Sequence, residues 1–282
     1  MSHSTFAPTL EAPAPAAIRQ DIRQDIRQDI RQAIPQPIPQ DMPGAIYSRD
    51  FFDLQLLFAR AVTRCAGIPL PQALMEYTNL YIRFGLGRGF DPGHPVWREY
   101  LAGVRREYDL GIWTHGFYQS RLPDSGTPEV IASVGCFSYA RLRSGAIHIH
   151  FRNAEANGAS PLKAARYEQR MAELRELFSL IREQEDAATR VQGTSWLYNL
   201  PAYRRLFPTH YIASAMPIEG KFRNVSLWGQ FIGRGGELRP APASVFKARI
   251  ARQDSLDGLK RCFPLPALAV SAPLAVFNEF YA

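Results

Sequence analysis

The chain has 282 residues, 46% of them hydrophobic and 21% charged, an ordinary composition for a globular protein of one large domain or two small ones. The formal net charge of +7, from 33 basic against 26 acidic residues, is spread through the chain. It suits an acidic or phosphorylated small molecule and makes no case for a nucleic-acid surface. The three cysteines, Cys65, Cys136 and Cys262, form no C-x-x-C pair, which excludes a zinc ribbon and argues against a disulfide framework. No stretch approaches ~20 consecutive apolar residues, so no membrane span is expected.

Residues 1 to 45 are low-complexity. Ala/Pro-rich sequence leads into an Ile-Arg-Gln-Asp repeat from Ile18 to Gln32, then into Pro-Gln-Pro-Ile-Pro-Gln. A four-residue repeat drifts around a 3.6-residue helix, so its isoleucines give a slanting stripe and not a stable face. The expectation is a disordered arm, with docking of a protein partner as the alternative. The N-terminus has no charged region followed by an apolar core, so no secretory signal is expected. Free, apolar-flanked cysteines fit a reducing cytoplasm.

Residues 46 to 282 read as a single domain, with a helical lobe over 46–110 and a mixed-sheet core over 111–282. Phe51, Leu54, Phe58 and Val62 predict a helix from Ser48 to Cys65, stopped by Gly67 and Pro69. A second helix is predicted from Pro71 to Phe84 and a third from Pro95 to Arg105. Gly85-Leu86-Gly87-Arg88-Gly89 trails the second helix and lacks a Lys-Ser/Thr pair, so it reads as a helix stop and not a phosphate loop. From Ile112 an aromatic stretch of Trp113, His115, Phe117 and Tyr118 leads to a turn at Pro123–Gly126.

Val130 to Leu142 predicts one or two strands. A turn at Arg143-Ser144-Gly145 then returns the chain as Ile147-His148-Ile149-His150-Phe151. Successive strand residues point to opposite faces, so both histidines share one face. Ser160-Pro161 suggests a helix start, and Met171, Leu174, Phe178 and Ile181 carry the helical stripe. Thr189 to Trp196 completes a β-α-β unit. Leu200 to Phe207 reads as a short helix, Tyr211–Met216 and Val225–Ile232 as strands, and Ser244–Arg252 as a helix. The Pro-interrupted, apolar tail ends in a helix with Phe277, Phe280 and Tyr281, which should dock on the core. The fold class expected is α+β: a helical N-terminal lobe, then a mixed sheet with a β-α-β crossover, in three layers.

Parallel strands in that unit would put Arg152 and Asn153 on the same sheet edge as Ser195, Trp196, Tyr198 and Asn199, where open α/β sheets bind ligands. Arg152 from one side and Arg204 from the other could hold an anion, and the rings could wall a pocket. His148, His150 and Ser195 are the catalytic candidates. H-x-H followed by Glu155 resembles the first metal motif of cupins, with His210 or His115 to complete a site. Structural hydrogen bonding and general acid/base work are the other readings of the two histidines. No metal is assigned, and the cofactor is left open.

Tyr139-Ala140-Arg141-Leu142, the Ile147–His150 strand, Ser160-Pro161-Leu162, Ser195-Trp196-Leu197 and Leu206-Phe207-Pro208 occur in an order with a familiar look. Over roughly residues 65 to 232 this resembles the C-terminal domain found beside GNAT-type N-acyltransferase domains in uncharacterised bacterial proteins. It departs in Phe151, where that pattern has Pro, in Tyr198, where it has Leu, and in lacking an acetyl-CoA pyrophosphate loop. The resemblance implies an acyltransferase-like domain that binds an acyl group or anionic small molecule at the sheet edge. A non-catalytic binding domain is the alternative, and a metal-dependent enzyme built on His148 and His150 is the third.

Overall fold

A computed structural model describes residues 47–122, 130–155, 160–185, 187–218, 221–223, 226–233 and 235–282. The arm expected at 1–45, its repeat and the turn at Pro123–Gly126 lie outside the described residues. The fold is α+β, as the element pattern predicts. Among the described residues, no helix is long and apolar enough to cross a membrane, and the three cysteines are free.

The first helix, α1 (Arg49–Ala66), buries Phe51, Leu54, Phe58 and Val62. Asp50 in its first turn and Arg64 in its last complement the helix dipole. Gly67, at φ 67°, closes it in the left-handed region, its amide donating to Thr63 O. Phe58 anchors the lobe's core, its ring centroid 5.5 Å from Trp228 and 5.2 Å from Phe263. The helix predicted from Pro71 to Phe84 is broken into α2 (Leu70–Tyr77) and α3 (Leu80–Arg83). The physical reason is Gln55, whose buried Oε1 takes the Asn79 amide at 2.9 Å and diverts it from the helical ladder.

Pro at the first position opens α4 (Pro95–Arg106). Asp109 caps α5 (Leu110–Ser120) by accepting from the Ile112 amide at 3.0 Å. The two helices meet where Trp113 Nε1 donates to Tyr100 O at 3.0 Å. The aromatic stretch from Ile112 is therefore helical and packs in the lobe. The lobe is also not confined to 46–110. Phe222, Trp228, Phe231, Phe246 and Phe263 join the same core, brought by a 3-10 segment (Ser226–Phe231), α9 (Pro240–Ile250) and α10 (Leu256–Lys260).

The six-stranded sheet runs β1 (Ala132–Val134), β2 (Phe137–Arg141), β3 (Ile147–Phe151), β4 (Arg190–Ser195), β6 (Leu268–Pro273) and β5 (Met216–Pro217) in spatial order. β3 and β4 are parallel, with Ile147 opposite Val191 and His148 opposite Gln192, and the other neighbours are antiparallel. The crossover helix is α6 (Tyr167–Gln184). It starts later than Ser160-Pro161 suggests, after a 3-10 turn at Ala164–Arg166, and Ser160 Oγ is buried without a partner.

One sheet face is apolar. Tyr139, Ile147, Ile149, Val191 and Val270 pack against Met171, Leu174, Phe178 and Ile181 of α6 and against Phe277 of α11 (Leu274–Phe280). The apolar C-terminus thus docks on the core, with Phe277 and Tyr281 both buried. Two predicted strands are corrected. The helix α8 (Thr209–Ala213) runs into the first half of the span read as a strand over Tyr211–Met216, of which only Met216 pairs, and the 3-10 segment takes up most of the run from Val225 to Ile232. Short apolar runs fit either state by pattern alone, and here packing against aromatic neighbours decides. The pattern gives no sign of β6, because its small residues sit among prolines.

The polar N-terminal half of α6 holds down the β1–β2 turn. Arg170, 2% exposed, reaches Glu155 at 3.0 Å and Glu173 at 2.6 Å, and Glu173 accepts the Cys136 amide at 3.0 Å. Gly135 precedes that amide at φ 53°, and a Cβ there would run into the Glu173 carboxylate. Backbone conformation and close approach both require glycine.

Candidate ligand site on the polar face of the sheet

The opposite sheet face is set by the same registers. Facing residues share a side, so Ala140, His148, Gln192 and Ser271 form one row across four strands. Ser138 stands beside His150, and Thr194 beside Ala269, in the next row. The larger residues here are half-buried, where those of the apolar face are fully buried. This side of the sheet is therefore covered only in part. No carboxylate occupies a paired position on this face among the described residues.

His148 Nδ1 and His150 Nε2 lie 3.3 Å apart, so one ring donates and the other accepts. Neither ring has another hydrogen-bond partner among the described residues. Burial is the main reason that His148 is pushed down to about 3 and His150 to about 4, with their mutual repulsion adding for His148 and Arg88 adding for both. Both imidazoles are therefore neutral at neutral pH and can each donate and accept.

Arg88 brings the positive charge. It sits in the Gly-rich loop after α3, is exposed, and has no carboxylate partner among the described residues. The loop is held in a strained form. Gly85 and Gly87 have φ of 76° and 72°, and Phe90, a residue with a Cβ, has φ of 48°. Such a residue costs ~1–3 kcal/mol and persists only where its surroundings impose it. The Phe90 ring lies 5.2 Å from Tyr81 and 4.4 Å beneath the Arg223 guanidinium, and Tyr81 Oη accepts the Asp91 amide at 3.1 Å. These contacts fix the loop's end, two residues after Arg88. Sequence reasoning sets the loop aside as a helix stop, and only its internal arginine hints at more.

The edge expected to hold ligand is filled with internal packing. Ser195, 6% exposed, accepts the Leu197 amide at 3.1 Å and caps a 3-10 turn (Trp196–Asn199). Trp196 and Tyr198 are buried, and Tyr198 Oη is 2.9 Å from Tyr211 Oη. Burial drives the Tyr198 and Tyr211 hydroxyls well above the usual tyrosine range, so both stay protonated. Asn199 Nδ2 donates to Trp196 O at 2.7 Å and Pro266 O at 2.8 Å, tying the turn to the tail. Asn153 is buried, its Oδ1 accepting the Glu155 amide at 3.0 Å. Arg152 is half-buried, its amide bonded to Cys136 O at 2.8 Å and its Nε buried without a partner. Arg204 is exposed on α7 (Pro201–Arg204). Parallel pairing does put the two strand ends on one edge, yet the turn after β4 folds its aromatic rings inward and leaves their hydroxyls and amides committed.

The metal-ligand set suggested by H-x-H is not assembled. Glu155 is held by Arg170 and Arg166, His115 bonds Tyr47 O at 3.1 Å inside the lobe, and His210 is exposed on α8. Among the described residues, no group of three or more His, Cys, Asp or Glu side chains could hold a metal ion. Compared with protein-family models, with curated proteins and with solved structures, the chain matches none.

Proposed function

We propose that this chain binds an anionic small molecule on the polar face of its sheet, between the helical lobe and the strands. The observation that carries the reading is a hydrogen-bonded pair of neutral histidines that feel the positive charge of Arg88, on a face whose paired positions carry no carboxylate. Arginine supplies a permanent charge and a fork of donors that suits carboxylate or phosphate. Neutral imidazoles add N–H donors without adding a charge that must be desolvated. The same arginine repels a cation, which weighs against a metal held by His148 and His150.

Acyl transfer, which the resemblance to the GNAT-associated domain implies, would draw on this face for a base. Imidazoles of such low basicity are poor proton acceptors at neutral pH. Binding is therefore preferred over catalysis. Calorimetric titration of the full chain with inorganic phosphate, and separately with acetyl-coenzyme A, tests both readings. Phosphate binding that weakens at least about ten-fold in Arg88→Ala is the expected result. Equal affinity in the variant would reject the site, and tight acetyl-coenzyme A binding would restore the acyl reading.

A further inference from the structure

The neutral side chains around the histidines say more about the ligand than its charge. Ser138, Gln192 and Thr194 share the face with His148 and His150. None of the three makes a side-chain hydrogen bond among the described residues. Ser138 is 6% exposed, and a hydroxyl so far from bulk water ordinarily has a partner. Its Oγ is not among the buried atoms cut off from solvent, so it opens towards the half-covered space above the strands.

Hydroxyl, carboxamide and neutral imidazole each donate and accept. A bare anion can only accept, so it would use half of this capacity. An alcohol both donates and accepts, and a row of hydroxyls matches a row of such groups. Ala140 and Ala269 on the same face are small and only half-buried. We infer that the ligand is a hydroxylated anion, of the sugar-phosphate or sugar-acid class, with its acidic group at Arg88 and its hydroxyls along Ser138, Gln192 and Thr194. This rests on the anion-binding reading and narrows it.

The test compares matched probes on the full chain by calorimetry: glucose 6-phosphate against n-propyl phosphate, and gluconate against butyrate. The hydroxylated member of at least one pair should bind roughly ten-fold tighter or more, as a few added hydrogen bonds imply, and the favoured pair identifies the acidic group. Thr194→Val and Ser138→Ala change shape little. Each should shrink that ratio several-fold, with melting temperature recorded to show that the variant is folded. Hydroxylated and plain probes of equal affinity, both weakened by Arg88→Ala, would overturn the inference and leave the anion reading standing. Failure of all four probes to bind would overturn both.

Discussion

His148 Nδ1 faces His150 Nε2 across 3.3 Å, a contact between residues two apart on one strand that only a shared sheet face allows. Burial holds both rings neutral far below the ordinary histidine value, at about 3 and about 4. The unfolded chain, with ordinary histidines, binds more protons than the folded one between roughly pH 4 and 6.5. Stability from the pair is complete above that window and falls as pH drops through it. Urea unfolding of His148→Gln/His150→Gln should lose less stability between pH 7 and 4.5 than the native chain, by on the order of 5 kcal/mol, about 2.5 for each histidine. Identical pH slopes would contradict the burial of the pair.

Gly193 lies on the apolar face of β4, where a Cβ would run into the hydroxyls of Tyr198 and Tyr211. Gly193→Ala should destabilise by about 1–3 kcal/mol through overpacking. Tyr198→Phe leaves Tyr211 Oη without its partner, at a cost of about 1–3 kcal/mol. Because Tyr198→Phe also removes the hydroxyl that the added methyl group strikes, the double variant should be less destabilised than the sum of the two. Additive losses would show that the close approach is relieved in some other way.

Arg170 compensates two carboxylates, Glu155 and Glu173, while itself almost wholly buried. Arg170→Met should cost about 3–5 kcal/mol, because the charges it leaves behind stay buried. Burial already raises the Glu173 carboxyl above its usual range, so adding Glu173→Gln should recover part of the loss. A loss below about 1 kcal/mol in the single variant would place the network among surface ion pairs.

Much of this fold is legible in the sequence because alternation and helical spacing carry it. Ile147, Ile149 and Phe151 against His148 and His150 fix the two faces of β3, and Met171, Leu174, Phe178 and Ile181 fix the buried side of α6. The parallel β3–β4 pair follows from the helix between them. The ligand face is only half legible. His148 and His150 can be read from alternation, but Arg88 lies 60 positions earlier in a loop that looks like a helix stop, and nothing local shows that its charge acts on them. The Ser195–Asn199 edge misleads for a similar reason. Ser, Trp, Tyr and Asn at a strand end suit a pocket, and the inward fold of the turn that buries them depends on Gly193, Tyr211 and Pro266 from three separate segments.

Phe90 sits at a φ of 48°, held by Tyr81 and Arg223. Phe90→Gly removes about 1–3 kcal/mol of backbone strain and also about 1.5–3 kcal/mol of ring burial. The net change in stability should be small, while the loop carrying Arg88 loosens. Phosphate affinity should therefore fall several-fold at nearly constant melting temperature. Affinity that tracks melting temperature across Phe90→Gly and Phe90→Ala would mean that the strained residue serves the lobe's core alone.

The most direct test of the central claim is a sulfate titration followed by NMR of the histidine rings in the full chain and in Arg88→Ala. Sulfate stays a dianion at neutral and mildly acidic pH, so any response belongs to the protein. The account predicts saturable shifts of the His148 and His150 ring signals that Arg88→Ala abolishes, with Trp196 and Asn199 side-chain signals unmoved. Shifts centred on Trp196 and Asn199, or histidine shifts that survive the loss of Arg88, would contradict it.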